Sequence, residues 1–571
     1  MNPVLKGFNA DPSIIRVGNT FYIANSTFEW FPGVQIHESK DLVNWELVTH
    51  PLDRVSLLDM RGNNDSGGIW APDLSYSDGK FWLVYTDVKV TEGAFKDCIN
   101  YLTTANDIRG PWSEPVRLNG VGFDASLFHD DDGKKYLVQM EWDHREYHHP
   151  FHGIKLTEYS VDEQRLLPET GKIIYTGTNV KLTEGPHIYK LNGVYYLFAA
   201  EGGTVWSHQE VVARSKELYG VYETQPETFL TAFYDGDNPL QKCGHGSLVD
   251  TEHGEWYFAH LTSRPWHHET ESHHDPRGWC TLGRETAIQK VEWDEQGWPY
   301  IIGGKQGSVE VAAPIGYKEH LVPSDNPLDH FENTALNIHF NTLRIPFTEQ
   351  MGSLSERPGW LRLFGQDSLT SHHDVSFVAR RWQSFNFVAE TKVNYQPYTY
   401  QQMAGLANYY NSRHWSMIQV TWQEEKGRVI EITENNRGVF TSYLKDQAIE
   451  VPDEIKDIYF KVNVQTQHYT YSYSFDGKEW IEIPVLLDAA ILSDDYVLQT
   501  YGGFFTGAFV GLVNIDYSGY RIPADFDYAD CKIKLDKQKS QLCYTQDSSG
   551  KRIIRSEHNW PTPILHQTNL Y

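Results

Sequence analysis

Five stretches of the chain repeat one order of apolar and polar positions: a short apolar strand, a turn with a glycine, then a strand crowded with aromatic and β-branched residues. The turns and second strands read VGNTFYIANS, SDGKFWLVYT, DDGKKYLVQM, LNGVYYLFAA and EHGEWYFAHL, with glycines Gly18, Gly79, Gly133, Gly193 and Gly254 at intervals of 61, 54, 60 and 61 residues. Asn or Asp stands beside the glycine in four of the five, which is a hairpin signal. Each unit has length for two further strands, such as KDLVNWELV at 40–48, and hardly any segment shows the 3.6-residue period of an amphipathic helix. A period held from Gly18 to Gly254 is too regular for chance hairpins in an ordinary sandwich. It predicts an all-β chain that opens with a five-bladed β-propeller over residues 1–314.

Beyond Pro314 the period stops at a polar, proline-containing stretch, GYKEHLVPSDNPLDHFEN. Alternation then returns over 325–540, in FNFVAETKVNY, HWSMIQVTWQ, YTYSYSFDGKEWIEI and FVGLVNIDY, with turn signals at Asp476-Gly477 and Gly502-Gly503. Two antiparallel sheets packed face to face, a β-sandwich, account for this better than more blades. The tail 541–571 shows no legible role.

Composition narrows the function. The 571 residues are 40% hydrophobic and 22% charged, and no apolar run approaches the ~20 residues of a membrane-spanning helix, so disorder and membrane insertion are not expected. Aromatics reach 14%, which suits surfaces that stack flat ligands such as sugars or nucleobases. With 49 Lys and Arg against 76 Asp and Glu the net charge is −27, and a field of that sign repels a phosphate backbone. Neutral carbohydrate is therefore the expected ligand, with no nucleic acid and no membrane partner. Cys98, Cys243, Cys280, Cys531 and Cys543 are scattered and form no ligand-spaced pair, which reads as reduced thiols. The opening MNPVLKGFNADPS lacks the basic and apolar regions of a secretory signal, so a cytoplasmic location is expected.

In a propeller the first strand of each blade lines the central channel. Aligned on the first apolar residue of that strand (Ile14, Leu74, Leu127, Ile188, Leu248), the units place Asp11, Ala71, Asp124, Gly185 and His245 three positions earlier. Four positions earlier stand Ala10, Trp70, Phe123, Glu184 and Gly244. Asp11, Asp124, Glu184 and His245 thus enter one channel mouth from four blades, with Trp70 from the remaining blade. Any one of them alone reads as a turn or core residue. Together, three crowded carboxyls are costly, and crowding drives their pKa values apart, so that one stays protonated while another stays ionised. Glycoside cleavage needs that division.

At these residues the chain resembles glycoside hydrolase family 43, in its branch of propeller-plus-sandwich β-xylosidases. The resemblance rests on NPVLKGFNADPSI, STFEWFPGVQIHESKDLVNW, SGGIWAPDLSY, GFDASLFHDDDGKKYL, LTEGPHIYK, GHGS, LGRETAIQ and, in the second domain, YGGFFTGAFVG. It implies inverting hydrolysis, with Asp11 as general base, Glu184 as general acid and Asp124 holding the acid and adjusting its pKa. An inverting pair stands roughly 6.5–9.5 Å apart to admit water. The resemblance also implies that Arg284 hydrogen-bonds the sugar and, as a cation beside Asp124, keeps that carboxylate ionised. Trp70 and Phe31 are expected as apolar walls, and Phe505, or its neighbour Phe504, as a wall lent by the sandwich. His245 occupies a position that contacts substrate and in some members places a calcium through water, so no cofactor is required and calcium at His245 stays open. The implied activity is exo-β-1,4-xylosidase on short xylo-oligosaccharides, with α-L-arabinofuranosidase side activity, in a homodimer or homotetramer. The alternatives are a fructan or sucrose hydrolase, whose NDPNG-like opening, RDP and EC motifs are not matched by NADPS and the other blade starts, and a non-catalytic sugar-binding propeller. Two histidine-rich stretches, 143–152 and 267–275, read as solvated loops rather than metal sites.

Overall fold

All five turn glycines adopt positive φ, from 61° at Gly18 to 86° at Gly133, a region open to glycine at little cost. At Asp78-Gly79 and Asn192-Gly193 both loop residues are left-handed and the flanking pairs are Ser77 with Lys80 and Leu191 with Val194, the geometry of a type I′ hairpin. The computed structural model describes all residues except 92, 269–276, 324, 500–502, 535–543, 547–551 and 555–571. Gly502, Cys543, most of the second histidine-rich stretch and most of the tail therefore lie outside the described residues.

Among the described residues, five consecutive antiparallel sheets of four or five strands form the blades of a propeller. Their inner strands are Ala10–Val17, Asp73–Ser77, Ser126–His129, Glu184–Leu191 and Gln241–Asp250. KDLVNWELV is strand only at Glu46–Thr49, because the Asp41 carboxylate accepts the N–H groups of Val43 and Asn44 and folds the first half into a turn. The ring is closed by the N-terminus, where Val4 N donates to Thr286 O in the last blade and the Asn2 side chain exchanges hydrogen bonds with the Ile288 backbone.

Neighbouring inner strands are tied by side chains. Leu74 N donates to Ser13 Oγ (3.0 Å), Leu127 N to Asp73 Oδ2 (2.9 Å), Ser126 Oγ to Pro186 O, Leu248 N to the Tyr189 hydroxyl (2.8 Å) and Ile14 N to Ser247 Oγ (2.7 Å). These five links run from each blade to the next and back to the first, so backbone groups facing the channel are satisfied where no ladder reaches them.

The second domain is a sandwich of two nine-stranded sheets among the described residues. Strands Phe377–Arg381, Phe509–Asp516 and Gln402–Asn411 lie side by side in one of them. Because successive side chains point to opposite faces, Phe377, Ala379, Ala407, Tyr409, Phe509 and Val513 pack with Phe8, Phe28, Trp30 and Trp70 of the propeller. Val378, Leu406, Val510 and Leu512 pack the other way, into the core between the sheets. The propeller also lends this sheet an edge strand, Trp30–Phe31, whose residues pair with Leu343 and Thr342. Residues 1–532 form one compact unit. Within 533–571, Tyr544–Gln546 pairs antiparallel with Arg552–Ile554. No helix among the described residues is long and apolar enough to cross a membrane.

Candidate active site

The inner strands of the first and fourth blades enter the site through a break in their ladders. The pairing of Ala10–Val17 slips between Ala10 and Ser13, and that of Glu184–Leu191 between Glu184 and His187. Of the five equivalent residues, Asp11, Asp124, Gly185 and His245 have left-handed backbone, with φ of 51°, 53°, 58° and 49°, and Ala71 does not. A bulge of this kind re-aims a side chain out of the sheet. In the fourth blade glycine takes the left-handed position, and a Cβ there would stand 2.5 Å from His245 Nε2. The acid therefore comes from the residue before it, Glu184, which explains why two offsets are needed to align the site.

The side chains converge on a pocket lined by Asp11, Phe28, Trp70, Phe123, Asp124, Glu184, Thr204, His245, Arg284 and Phe505. Asp11 Oδ1 accepts from Arg284 Nη1 at 2.9 Å and Oδ2 from Ser26 Oγ at 2.5 Å, with His245 Nδ1 3.7 Å from Oδ1. Burial pushes the Asp11 carboxyl up, but Arg284, His245 and the Ser26 hydroxyl together outweigh it and hold the group below the usual carboxylate range. Glu184 goes the other way: burial and then the Asp11 charge push it up to about 7, against the pull of Arg284. Asp124 is raised well above its ordinary value by burial, then by Glu184 and Asp11. His245 falls to about 4, chiefly through burial, so its imidazole is neutral at physiological pH.

Arg284 Nη2 donates to Phe505 O at 2.8 Å, and its guanidinium lies 5.1 Å from the Phe28 ring centre and 5.4 Å from that of Phe505. Its carboxylate partner is Asp11, which corrects the expectation that it keeps Asp124 ionised. The neighbouring Glu285 is bound by Arg264 instead. Trp70 meets Phe123 edge-on at 4.8 Å and Phe505 at 5.6 Å. Phe504 packs against the sandwich core, so Phe505 is the residue of that pair in the pocket.

Phe31 is a second correction. It is 2% exposed among Val34, Leu52, Leu57 and Ile69, inside the propeller. Pairing with Thr342 directs it there, and Phe28, at φ 50°, turns into the pocket in its place. The sequence reading also passes over Phe123 and Thr204. Phe123 had a signal, since it shares the offset of Trp70 and Glu184. Phe28 and Thr204 follow the second strands Thr20–Ser26 and Val194–Glu201, which run back to the same mouth.

Among the described residues, one group could offer a metal three side chains: Asp124, Glu184 and His245, with ligand atoms within 4.8 Å of one another. Two carboxyls with raised pKa values and one nitrogen do not match calcium, which takes six to eight oxygens. In the first histidine-rich stretch, Asp143 gathers Arg145 through two bonds and His148 at 3.0 Å.

A five-bladed propeller that sets a carboxyl raised to about 7 against one held ionised in an aromatic-walled pocket defines a glycoside hydrolase. Residues 1–299 match Glycosyl hydrolases family 43, and residues 328–532 match the Beta xylosidase C-terminal Concanavalin A-like domain. The chain belongs to glycosyl hydrolase family 43. It is 56% identical to a beta-xylosidase of Bacillus subtilis over 93% of this chain and 99% of that one. It is 44% identical to a xylan 1,3-beta-xylosidase of a Vibrio species over 92% and 98%. The crystal structure of xylan beta-1,4-xylosidase from Bacillus halodurans superposes with a TM-score of 0.89 at 50% identity, over 93% and 99% of the two chains.

Proposed function

We propose that the chain is an inverting, exo-acting β-1,4-xylosidase that releases xylose from the non-reducing end of short xylo-oligosaccharides. The observation that carries this reading is the opposition of Asp11, held ionised, and Glu184, held protonated, within one small pocket. The beta-xylosidase names of its relatives support the choice of sugar.

In the reaction, Asp11 takes a proton from water as the water oxygen bonds to the anomeric carbon. The bond from that carbon to the glycosidic oxygen breaks, and Glu184 gives its proton to the departing oxygen. Solvent then removes the proton from Asp11 and restores the one on Glu184. Asp124 positions Glu184, Arg284 fixes Asp11, and Trp70, Phe28 and Phe505 pack the apolar faces of the pentose. The xylosidase works without a metal, because the carboxyls a cation could reach are the ones the reaction uses. We carry a cytoplasmic, homo-oligomeric enzyme as part of the same reading.

Proton NMR of xylobiose turnover tests it. We expect α-xylose before mutarotation, a slower parallel release from aryl α-L-arabinofuranosides, and an unchanged rate in EDTA. Early β-xylose would mean retention, and an EDTA loss restored by calcium would overturn the metal-free scheme. Asp11→Ala and Glu184→Ala should each lower turnover by about 10²–10⁴ while xylose binding persists. Turnover left intact in both would show that the reaction does not use these two carboxyls, whereas a parent protein that binds xylose without cleaving any glycoside would leave a sugar-binding propeller as the better account.

A further inference from the structure

Ser66 is fully buried and left-handed, with φ 55°, although glycine suits that backbone better and Gly67 and Gly68 follow it. Its three hydrogen-bonding groups go to three different places. The N–H donates to Glu29 Oε2 at 3.1 Å, the carbonyl accepts from Trp70 Nε1 at 2.8 Å, and the hydroxyl accepts from Phe505 N at 3.0 Å. Trp70 belongs to the propeller and Phe505 to the sandwich, and their rings meet at 5.6 Å and 81° in the pocket wall.

The loop carrying Ser66 is held from both domains. Arg344 Nε donates to Asn63 O at 2.7 Å and its Nη2 to Asp65 Oδ1 at 2.9 Å, while Ser412 Oγ donates to Asp65 Oδ2 at 2.6 Å. Arg344 N also donates to Glu29 O at 2.8 Å. Backbone strain kept at a fully bonded buried residue points to a requirement for its side chain.

We infer that Ser66 is a positioning residue that sets the Phe505 wall against the Trp70 wall and so fixes the width of the sugar pocket. The inference rests on the proposed sugar-binding role of that pocket. Both walls contact the bound sugar before and during bond cleavage, so loosening them weakens substrate and transition state alike.

Ser66→Gly tests this, since it removes the hydroxyl while accepting the backbone. We expect KM for xylobiose and the inhibition constant of free xylose to rise together by about tenfold, with kcat changed less than about twofold. The thermal midpoint should not fall, and amide exchange in the 503–508 segment should quicken. Unchanged KM and xylose inhibition with Phe505 still protected would overturn the inference, as would an activity loss that merely follows a lowered thermal midpoint. If the unmodified protein does not cleave xylosides, the proposed function fails by itself, and exchange at Phe505 still decides the role of Ser66.

Discussion

Asp11 and Glu184 face one pocket, and each is buried, yet their acidities part because the cation chooses one of them. Arg284 bonds Asp11 at 2.9 Å, while burial, and after it the Asp11 charge, raises Glu184 to about 7. The acid limb of kcat/KM should therefore stay flat down to about pH 4, and the alkaline limb should fall about tenfold per unit above about pH 7, as rates on an aryl xyloside from pH 4 to 9 would reveal. Stability follows the same proton. The folded chain holds it more tightly than the unfolded chain, where a glutamate titrates near 4.5, so its contribution to stability is complete below about pH 4.5 and is lost as pH rises through about 7. Glu184→Gln should thus unfold at higher temperature than the parent at pH 8, by about 1–3 kcal/mol in stability, while turnover collapses. A lower midpoint would show that the acid is not strained in the fold. Asp11, Asp124, Glu184 and His245 were legible in sequence because the repeat supplies their register. Phe31 was misplaced and the Arg284 partner misassigned, because the first depends on a strand pair with residue 342 and the second on which carboxyl lies within reach.

At the scale of the element, the repeat specifies more than hairpins. The residue just before each aligned apolar position is Ser13, Asp73, Ser126, His187 or Ser247, and four of these five bridge to the next blade. In the fourth blade Tyr189 makes the link instead. That polar column was visible in the alignment, but its purpose is not, since strands that do not share a ladder leave no periodic trace. The left-handed entrances were equally hidden, apart from Gly185. Gly185→Ala would put an L-residue at φ 58° and press a methyl onto His245. The backbone alone costs about 1–2 kcal/mol, and displacing His245 from Asp11 should lower kcat/KM as well. Urea unfolding together with xyloside kinetics would separate the two effects, and an unchanged unfolding midpoint would deny the left-handed strain.

For the whole molecule, the sandwich is part of the active site's construction. The sheet built on Phe377–Arg381, Gln402–Asn411 and Phe509–Asp516 is apolar on both faces, which makes its alternation too weak in sequence to say which face meets the propeller. Trp30 stacks on Phe509 at 3.6 Å and 16°, burying a propeller residue in the joint core. Trp30→Ala should therefore cost about 3–5 kcal/mol, although position 30 lies outside the pocket. Separating the domains is the stronger test. A chain ending at residue 316 would lose the Phe505 wall and the carbonyl that holds Arg284 Nη2, and it would expose Phe8, Phe28 and Trp30. We expect that fragment to bind an apolar dye, to associate in solution and to leave xylobiose intact. A soluble, monomeric propeller that bound xylose as tightly as the full chain would show instead that the blades alone build the pocket, and that the sandwich does no more than cover it.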